Sequence, residues 1–426
     1  MKKKITILGS TGSIGKILLN IVKKNKKTFK VVLLTANKDH KTLYSQAKKY
    51  GVKNLIITND VSYKILKKKC KKTNINVYNN FNVFNKIFKK KVDYTMNSIV
   101  GFAGLKPTLN IIKFTKQIAI ANKESIICGW NLIENDLKKY RTKFIPIDSE
   151  HFSIWSLIKN YKSSQIQKVF ITASGGPFLK LSKNQLKKVS PKDAIKHPNW
   201  PMGKKISVDS ATLMNKVFEV IEAQRIFNLP LSKFKILIHP NSYVHAIVKF
   251  TNGITKFLIH DTSMEIPIFN SLYFDDSNKK LKTKEIDFDK MNNLNFLNVS
   301  HTKFPSINLL KKISNKISLF ETVLISANDS LVELFLNKKI SYLEIYKYLN
   351  ILTDLKEFAK LKQIRPSSID QITKLNEYVT LKIKSLSVLS GSFISIWEGC
   401  CPCSIFSVKQ GRKLNIHKFV ISSDLQ

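Results

Sequence analysis

The 426-residue sequence predicts an α/β protein in three parts: an N-terminal Rossmann-like parallel sheet, a central α+β domain and a C-terminal helical bundle. Three observations predict it. Over the first 150 residues, short β-rich runs alternate with lysine-rich amphipathic stretches, the pattern of strands joined by helical crossovers. Further on, VHAIVKF-TNG-ITKFLIHD has the form of a hairpin turning at Asn252-Gly253. Beyond residue 305, LLKKISNKISLFETVLISANDSLVELFL and ISYLEIYKYLNIL repeat apolar residues at helical spacing.

Taken in order, ITIL, VVLLTA, NLIIT, VDYTMNSIV, QIAIAN and KFIPID read as the strands of residues 1–150, separated by helices such as KILLNIVKKN. KVFITAS and KILIHP join the hairpin in a second region, 151–285. The polar, Asn-rich stretch 286–304 reads as a linker, 305–387 as the helical bundle, and 388–426 as a tail.

Composition narrows the function classes. The apolar fraction of 43% is globular, and no window reaches the roughly 18 apolar residues of a membrane helix. MKKKITIL starts like a signal peptide but runs into glycines and serines, so the expected location is cytoplasmic. Five scattered cysteines fit a reducing compartment; GCCPC offers three sulfurs with only His417 nearby, too few for a zinc set. The net charge of +43 suggests nucleic acid, yet the lysines are spread over every segment instead of clustering with arginines and aromatics. No nucleic acid and no membrane is expected as a partner; an anionic small molecule is.

After strand ITIL come Gly9-Ser10-Thr11-Gly12-Ser13-Ile14-Gly15 and a helix. Glycines here let the chain turn sharply and bring backbone N–H groups against a pyrophosphate at the positive end of the helix. The second strand ends in Ala36-Asn37-Lys38, with no acid for a ribose 2′-hydroxyl, which favours NADPH over NADH. Asp39 is awkward for that reading unless it points outward, and Lys38 is equally readable as one more surface lysine.

IPIDSEHF sets Asp148 and Glu150 two positions apart, on one face if the strand continues through them. They would repel unless a divalent metal or a pair of lysines lay between them. In the helix expected after Ser210, Asn215 and Lys216 share a face with Glu219. Together with ANKES and TASGGPF, these residues offer a cation, amides and hydroxyls to a phosphate and a carboxylate to a metal.

In GSTGSIG, IVGFAGLKPT, ANKES, PIDSEH, SGGPF, HPNWPMGKKISVDSATLMNK and HPNSYVH the sequence resembles the 1-deoxy-D-xylulose-5-phosphate reductoisomerase family, from residue 3 to about 385. The resemblance implies an NADPH-dependent enzyme of the non-mevalonate isoprenoid pathway, acting on a sugar phosphate as a homodimer. It implies Asp148, Glu150 and Glu219 as ligands of Mg²⁺ or Mn²⁺. It implies Ser174, Ser210, Asn215 and Lys216 around the substrate phosphate, Lys123, Ser149, Glu150, His197 and Glu219 against the rest of the substrate, and Lys123, Asp148, Glu150 and Glu219 as the catalytic residues. Thr11, Gly12, Ser13, Ile14, Asn37, Lys38, Asn122, Glu124 and Gly203 resemble the cofactor contacts, and Trp200 belongs to a loop expected to close over the site, unless it is a core aromatic. Val217-Phe218 replaces the Gly-Leu common in the family, and the segment after about 388 matches nothing in it. A semialdehyde or acyl-phosphate dehydrogenase would need a nucleophilic cysteine, and Cys128 in SIICGW reads as an apolar helix position.

Overall fold

A computed structural model describes residues 2–196, 203–274 and 279–389. Residues up to Ile383 form one compact unit; of the second, Lys384–Gln426, only the end of the last helix, Ile369–Leu389, is described. The tail beyond residue 389 lies outside the described residues, as do His197 and Trp200.

The first sheet comprises β1 (Lys3–Leu8), β2 (Phe29–Ala36), β3 (Asn54–Ile57), β4 (Asn76–Tyr78), β5 (Tyr94–Asn97), β6 (Gln117–Ile120) and β7 (Lys143–Pro146). Their spatial order is β4-β3-β2-β1-β5-β6-β7, and every pair is parallel. Helices cover both faces, which is why the strands are runs of Ile, Leu and Val and not alternations. β4 was not anticipated: it is three residues long, unburied and set in NINVYNN, where no apolar run marks it. The order reverses between β1 and β5, so a crevice opens at their carboxyl ends.

The second sheet holds β8 (Ile166–Ala173), β9 (Phe234–Ile238), β10 (Val244–Phe250), β11 (Thr255–Ile259) and β12 (Leu297–Asn298), in the order β11-β10-β8-β9-β12. β8 and β9 are parallel; the other pairs are antiparallel. β10 and β11 form the expected hairpin, with Gly253 at φ +88° in the turn. The polar stretch 286–304 contains the short helix Phe288–Asn292 and also β12, which caps the edge beside β9.

The helix Ser149–Ile158 packs against β10, and Met214–Phe227 against Lys123–Lys139. Beyond residue 305 the helices Phe320–Leu336 and Tyr342–Asp354 pack on each other, and the first also contacts Lys123–Lys139. Val217 and Phe218 are both fully buried in an unbroken helix. A salt bridge between Arg225 and Glu321, each almost wholly buried, ties that helix to Phe320–Leu336. Arg225 also donates to the carbonyls of Asn315 and Lys316, which helps to satisfy its guanidinium out of water.

Gly9 adopts φ +79°, and a Cβ there would lie 2.8 Å from the Ser98 carbonyl oxygen, so the turn after β1 touches the chain leaving β5. Gly253 also has positive φ, but open space surrounds it. Gly253→Ala should therefore cost only the left-handed backbone penalty, about 1–2 kcal/mol, and Gly9→Ala distinctly more, because backbone must move. Chemical denaturation measures both; equal losses would remove the close-approach argument.

Candidate active site

The glycine loop leaves β1 and enters the helix Ser13–Lys24 with Gly12 as N-cap. A Cβ on Gly15 would stand 2.6 Å from the Ser10 Cα, so loop and helix are pressed together. Ser10 is fixed from behind: its N–H donates to the Thr35 carbonyl at 2.8 Å, its hydroxyl donates to Gln46 Oε1 at 2.8 Å, and Gln46 Nε2 donates to its carbonyl at 2.9 Å. Gly12 and Ser13 are exposed at a helix start whose first N–H groups have no intrahelical acceptor; Thr11 and Ile14 are half-buried beside them. This cradle fits a pyrophosphate.

Asn37 and Lys38 are exposed at the end of β2. Asp39 is the N-cap of the helix His40–Tyr50, and its Oδ1 accepts from the Thr42 N–H at 3.0 Å. An acid one residue beyond the usual position is thereby withdrawn into helix capping.

Asn122 and Glu124 open the helix Lys123–Lys139. The Asn122 side chain caps it, accepting from Ser125 N–H at 2.6 Å, and its amide donates to the carbonyls of Ile99 and Gly101. Glu124 is buried against Lys205, 2.6 Å away, and Lys205 also meets Asp329 at 2.7 Å. Gly203 is exposed at the start of Lys204–Ala211.

β7 stops at Pro146, and Asp148 and Glu150 are not on a strand face. Asp148 is the N-cap of Ser149–Ile158, its Oδ1 accepting from the Glu150 N–H at 3.2 Å, and Glu150 lies in the first helical turn. The strand-alternation expectation is corrected: Asp148-Ser-Glu is a helix-start pattern, and an acid at N-cap and another in the first turn suit the positive end of the helix. The two carboxylates nevertheless converge with Glu219, one oxygen from each lying within 4.8 Å of the others. An all-oxygen set of three suits a hard divalent ion such as Mg²⁺ or Mn²⁺.

Two lysines enter the same space. Lys123 Nζ lies 3.4 Å from Asp148 and 3.2 Å from Glu219, and donates to Asn215 Oδ1 at 2.7 Å. Lys216 Nζ lies 2.7 Å from Glu219 Oε2 and bonds to Glu150. Glu150 also accepts from the Ser149 hydroxyl. Asn215, Lys216 and Glu219 share a helix face as their spacing predicts, with Asn215 donating to Glu219.

Burial, then the neighbouring Glu219, pushes the Glu150 carboxyl up to about 7. Asp148 is driven well below the carboxylate range, because Lys123 and His151 outweigh its burial. Burial alone would lower Lys123, but Glu219 and Asp148 raise it well above an ordinary lysine. Two residues that the sequence reading passed over complete the cluster. His151 donates from Nε2 to the Glu219 carbonyl at 2.8 Å and turns Nδ1 towards Asp148 at 3.2 Å and Glu222 at 3.4 Å. Burial opposes its charge, but Glu222 and Asp148 lift its pKa to about 10. Glu222 falls one helical turn after Glu219, but that spacing alone does not mark it as buried.

Ser174 follows β8 in a loop where Gly175 and Gly176 have φ +85° and +68°; the Gly176 N–H donates to Ser174 Oγ at 3.1 Å. A Cβ on Gly176 would meet the Ser210 carbonyl at 2.8 Å, so this loop lies against the end of Lys204–Ala211. Leu213, at φ +58°, then turns the chain into Met214–Phe227, whose first turn carries Asn215 and Lys216. Cys128 is fully buried, and burial pushes its thiol far above the ordinary range, so it supplies no thiolate nucleophile.

Because Asp39 is a cap, Asp39→Ala should cost about 1 kcal/mol of stability and leave the ratio of NADPH to NADH affinity unchanged. Denaturation and cofactor titration read the two effects. A shift of the ratio towards NADPH would mean that Asp39 faces the cofactor after all.

Residues 5–129 match the 1-deoxy-D-xylulose 5-phosphate reductoisomerase family, 144–227 that enzyme's C-terminal domain, and 260–380 a further DXP reductoisomerase C-terminal domain. The enzyme of that name from Pelagibacter ubique is 58% identical over 388 residues, 91% of this chain and 100% of its own. That of Zymomonas mobilis is 33% identical over 386 residues, 90% and 97% of the two chains. The solved Zymomonas mobilis enzyme in complex with NADPH aligns at TM-score 0.80 and 30% identity, over 91% of this chain and 98% of that one. A DOX-P reductoisomerase in complex with NADPH, fosmidomycin and magnesium aligns at 0.83 and 29%, with the same coverage. With three family matches in sequence order and near-complete coverage of its relatives, the chain belongs to the 1-deoxy-D-xylulose 5-phosphate reductoisomerase family.

Proposed function

We propose that the chain converts 1-deoxy-D-xylulose 5-phosphate to 2-C-methyl-D-erythritol 4-phosphate with NADPH and a Mg²⁺ or Mn²⁺ ion, in the non-mevalonate isoprenoid pathway. The observation that carries this is the convergence of Asp148, Glu150 and Glu219, with Lys123 and Lys216, from helices far apart in sequence. When bound, the ion supplies Lewis acidity to substrate oxygens and NADPH supplies the hydride. Asp148, Glu150 and Glu219 hold the ion.

Lys123 stays cationic, so it acts as a hydrogen-bond donor to substrate oxygens and not as a general base. Ser149 and Glu150 face the carbon skeleton beside it. Ser174, Ser210, Asn215 and Lys216 take the phosphate, at the positive end of Met214–Phe227. Thr11, Gly12, Ser13 and Ile14 take the pyrophosphate, and Asn37 and Lys38 the 2′-phosphate. Asn122, Glu124 and Gly203 shape the nicotinamide side; the Asn122 amide is already engaged with backbone, so its part there is to hold the loop 99–101 in place. His197 and Trp200 are assigned to the substrate by resemblance.

The domain division goes with this reading: cofactor binding in 1–150, metal and substrate in 151–285, helical support in 305–387. We place the enzyme in the cytoplasm as a homodimer, with no nucleic-acid or membrane partner. Among the described residues, no helix is long and apolar enough to cross a membrane, the two described cysteines are free, and β11 leaves a sheet edge with Phe257 exposed beside which a second copy can pair.

NADPH absorbance followed with 1-deoxy-D-xylulose 5-phosphate, with and without Mn²⁺, tests the activity; silence under all conditions overturns it. Asp148→Asn, Glu150→Gln and Glu219→Gln should each abolish turnover and weaken Mn²⁺ binding while NADPH affinity is kept. Parental Mn²⁺ affinity in all three would make the cluster structural. Lys38→Ala should weaken NADPH by about 1.5–3 kcal/mol, the range for a charged hydrogen bond, and spare NADH; an equal loss for both cofactors would refute the 2′-phosphate assignment.

A further inference from the structure

The carboxylate oxygens proposed to hold a divalent ion already have donors. Asp148 Oδ2 faces Lys123 at 3.4 Å, and Oδ1 accepts from the Glu150 N–H at 3.2 Å. Glu150 divides its oxygens between Lys216 and the Ser149 hydroxyl. Glu219 Oε1 takes Asn215 and Lys123, the latter at 3.2 Å, and Oε2 takes Lys216 at 2.7 Å. An ion bound to these oxygens at the usual distance of about 2.1 Å would stand close to both ammonium groups, inside a buried site where like charges are poorly screened.

The two lysines are not equivalent. The shortest hydrogen bond of Lys123 goes to the amide oxygen of Asn215, which is not a ligand. Both hydrogen bonds of Lys216 end on ligand carboxylates, Glu150 and Glu219. An incoming ion therefore deprives Lys216 of its partners and leaves Lys123 its shortest hydrogen bond. Lys216 also sits in the first turn of Met214–Phe227: its N–H donates to the Leu213 carbonyl at 3.1 Å, and the Leu213 N–H to the Ser210 carbonyl at 3.2 Å, against which Gly176 lies.

We propose that Lys216 is an exchange cation: it neutralises Glu150 and Glu219 while no divalent ion is present, and an arriving ion releases it to the substrate phosphate. This rests on the metal and phosphate assignments above. Its consequence is positive coupling: each ligand removes the cost that Lys216 imposes on the other. By reciprocity, phosphate must tighten the ion as much as the ion tightens phosphate.

The test uses the full chain, with Mn²⁺ and inorganic phosphate as probes. Free Mn²⁺ is read by electron paramagnetic resonance, and a protein-free series accounts for Mn²⁺ held by phosphate in solution. In the parent, phosphate should lower the apparent Mn²⁺ dissociation constant at least about fivefold, the lower end of typical coupling. Lys216→Met should bind Mn²⁺ more tightly than the parent without phosphate and show no response to phosphate. Lys123→Met, which removes an equal charge from the same cluster, should keep the response. Should Lys216→Met fail to fold, Lys216→Gln takes its place, and the parent titration needs no variant. One Mn²⁺ site in the parent that ignores phosphate, or a Lys216→Met chain that binds Mn²⁺ no better than the parent, overturns the exchange and leaves the metal assignment standing. No saturable Mn²⁺ site in the parent overturns the metal assignment itself.

Discussion

Two carboxylate groups that share Asp148, one with Glu150 and Glu219 and the other with His151 and Glu222, impose the constraint on which the site's architecture depends. Asp148, Glu150, Glu219 and Glu222 can share that space only if positive charge is folded in with them. Lys123, Lys216 and His151 supply it, each from a different helix, so the charge balance is also a statement about which helices must meet. The remaining imbalance appears as the raised Glu150 and Glu222 carboxyls, both at about 7 and both raised first by burial. Such a cluster is costly as stability and useful as chemistry.

The framework around it answers that cost. Arg225 and Glu321 fasten the Met214 helix to the C-terminal helices, and Lys205 joins Glu124 of the first sheet's crossover to Asp329. These pairs hold elements from all three regions of sequence in one arrangement. Removing either partner of Arg225–Glu321 would strand a buried charge, so its value lies more in fixing position than in net stabilisation.

Much of this was legible in the sequence because the relevant signals are local. The glycine loop between strand and helix, the Asn-Gly hairpin and the helical spacing of Asn215, Lys216 and Glu219 each lie within about ten residues, and each formed as expected. What failed was also local but ambiguous. The apolar run before Asp148 reads as strand, and only the capping preference of Asp stops it; β4 has no apolar run at all. His151, Glu222 and Lys205 were out of reach for another reason. Besides the local partners Asp148 and Asp209, they meet groups 68 or more residues away that come near only once the sheets are in place, and nothing in VFEVIE separates a carboxylate that will be buried from one that will not.

The helix Met214–Phe227 carries Lys216, Glu219, Glu222 and Arg225 at intervals of three, with Asn215 four residues before Glu219. Each residue advances an α-helix by about 100°. Side chains along this segment can be exchanged one at a time, each at its own cost. A single inserted or deleted residue between Lys216 and Arg225 would instead swing every later group about a third of a turn away from its partners at once. Among descendants of this chain, lineages can therefore drift in composition here but not in length, and gaps in an alignment should cluster elsewhere.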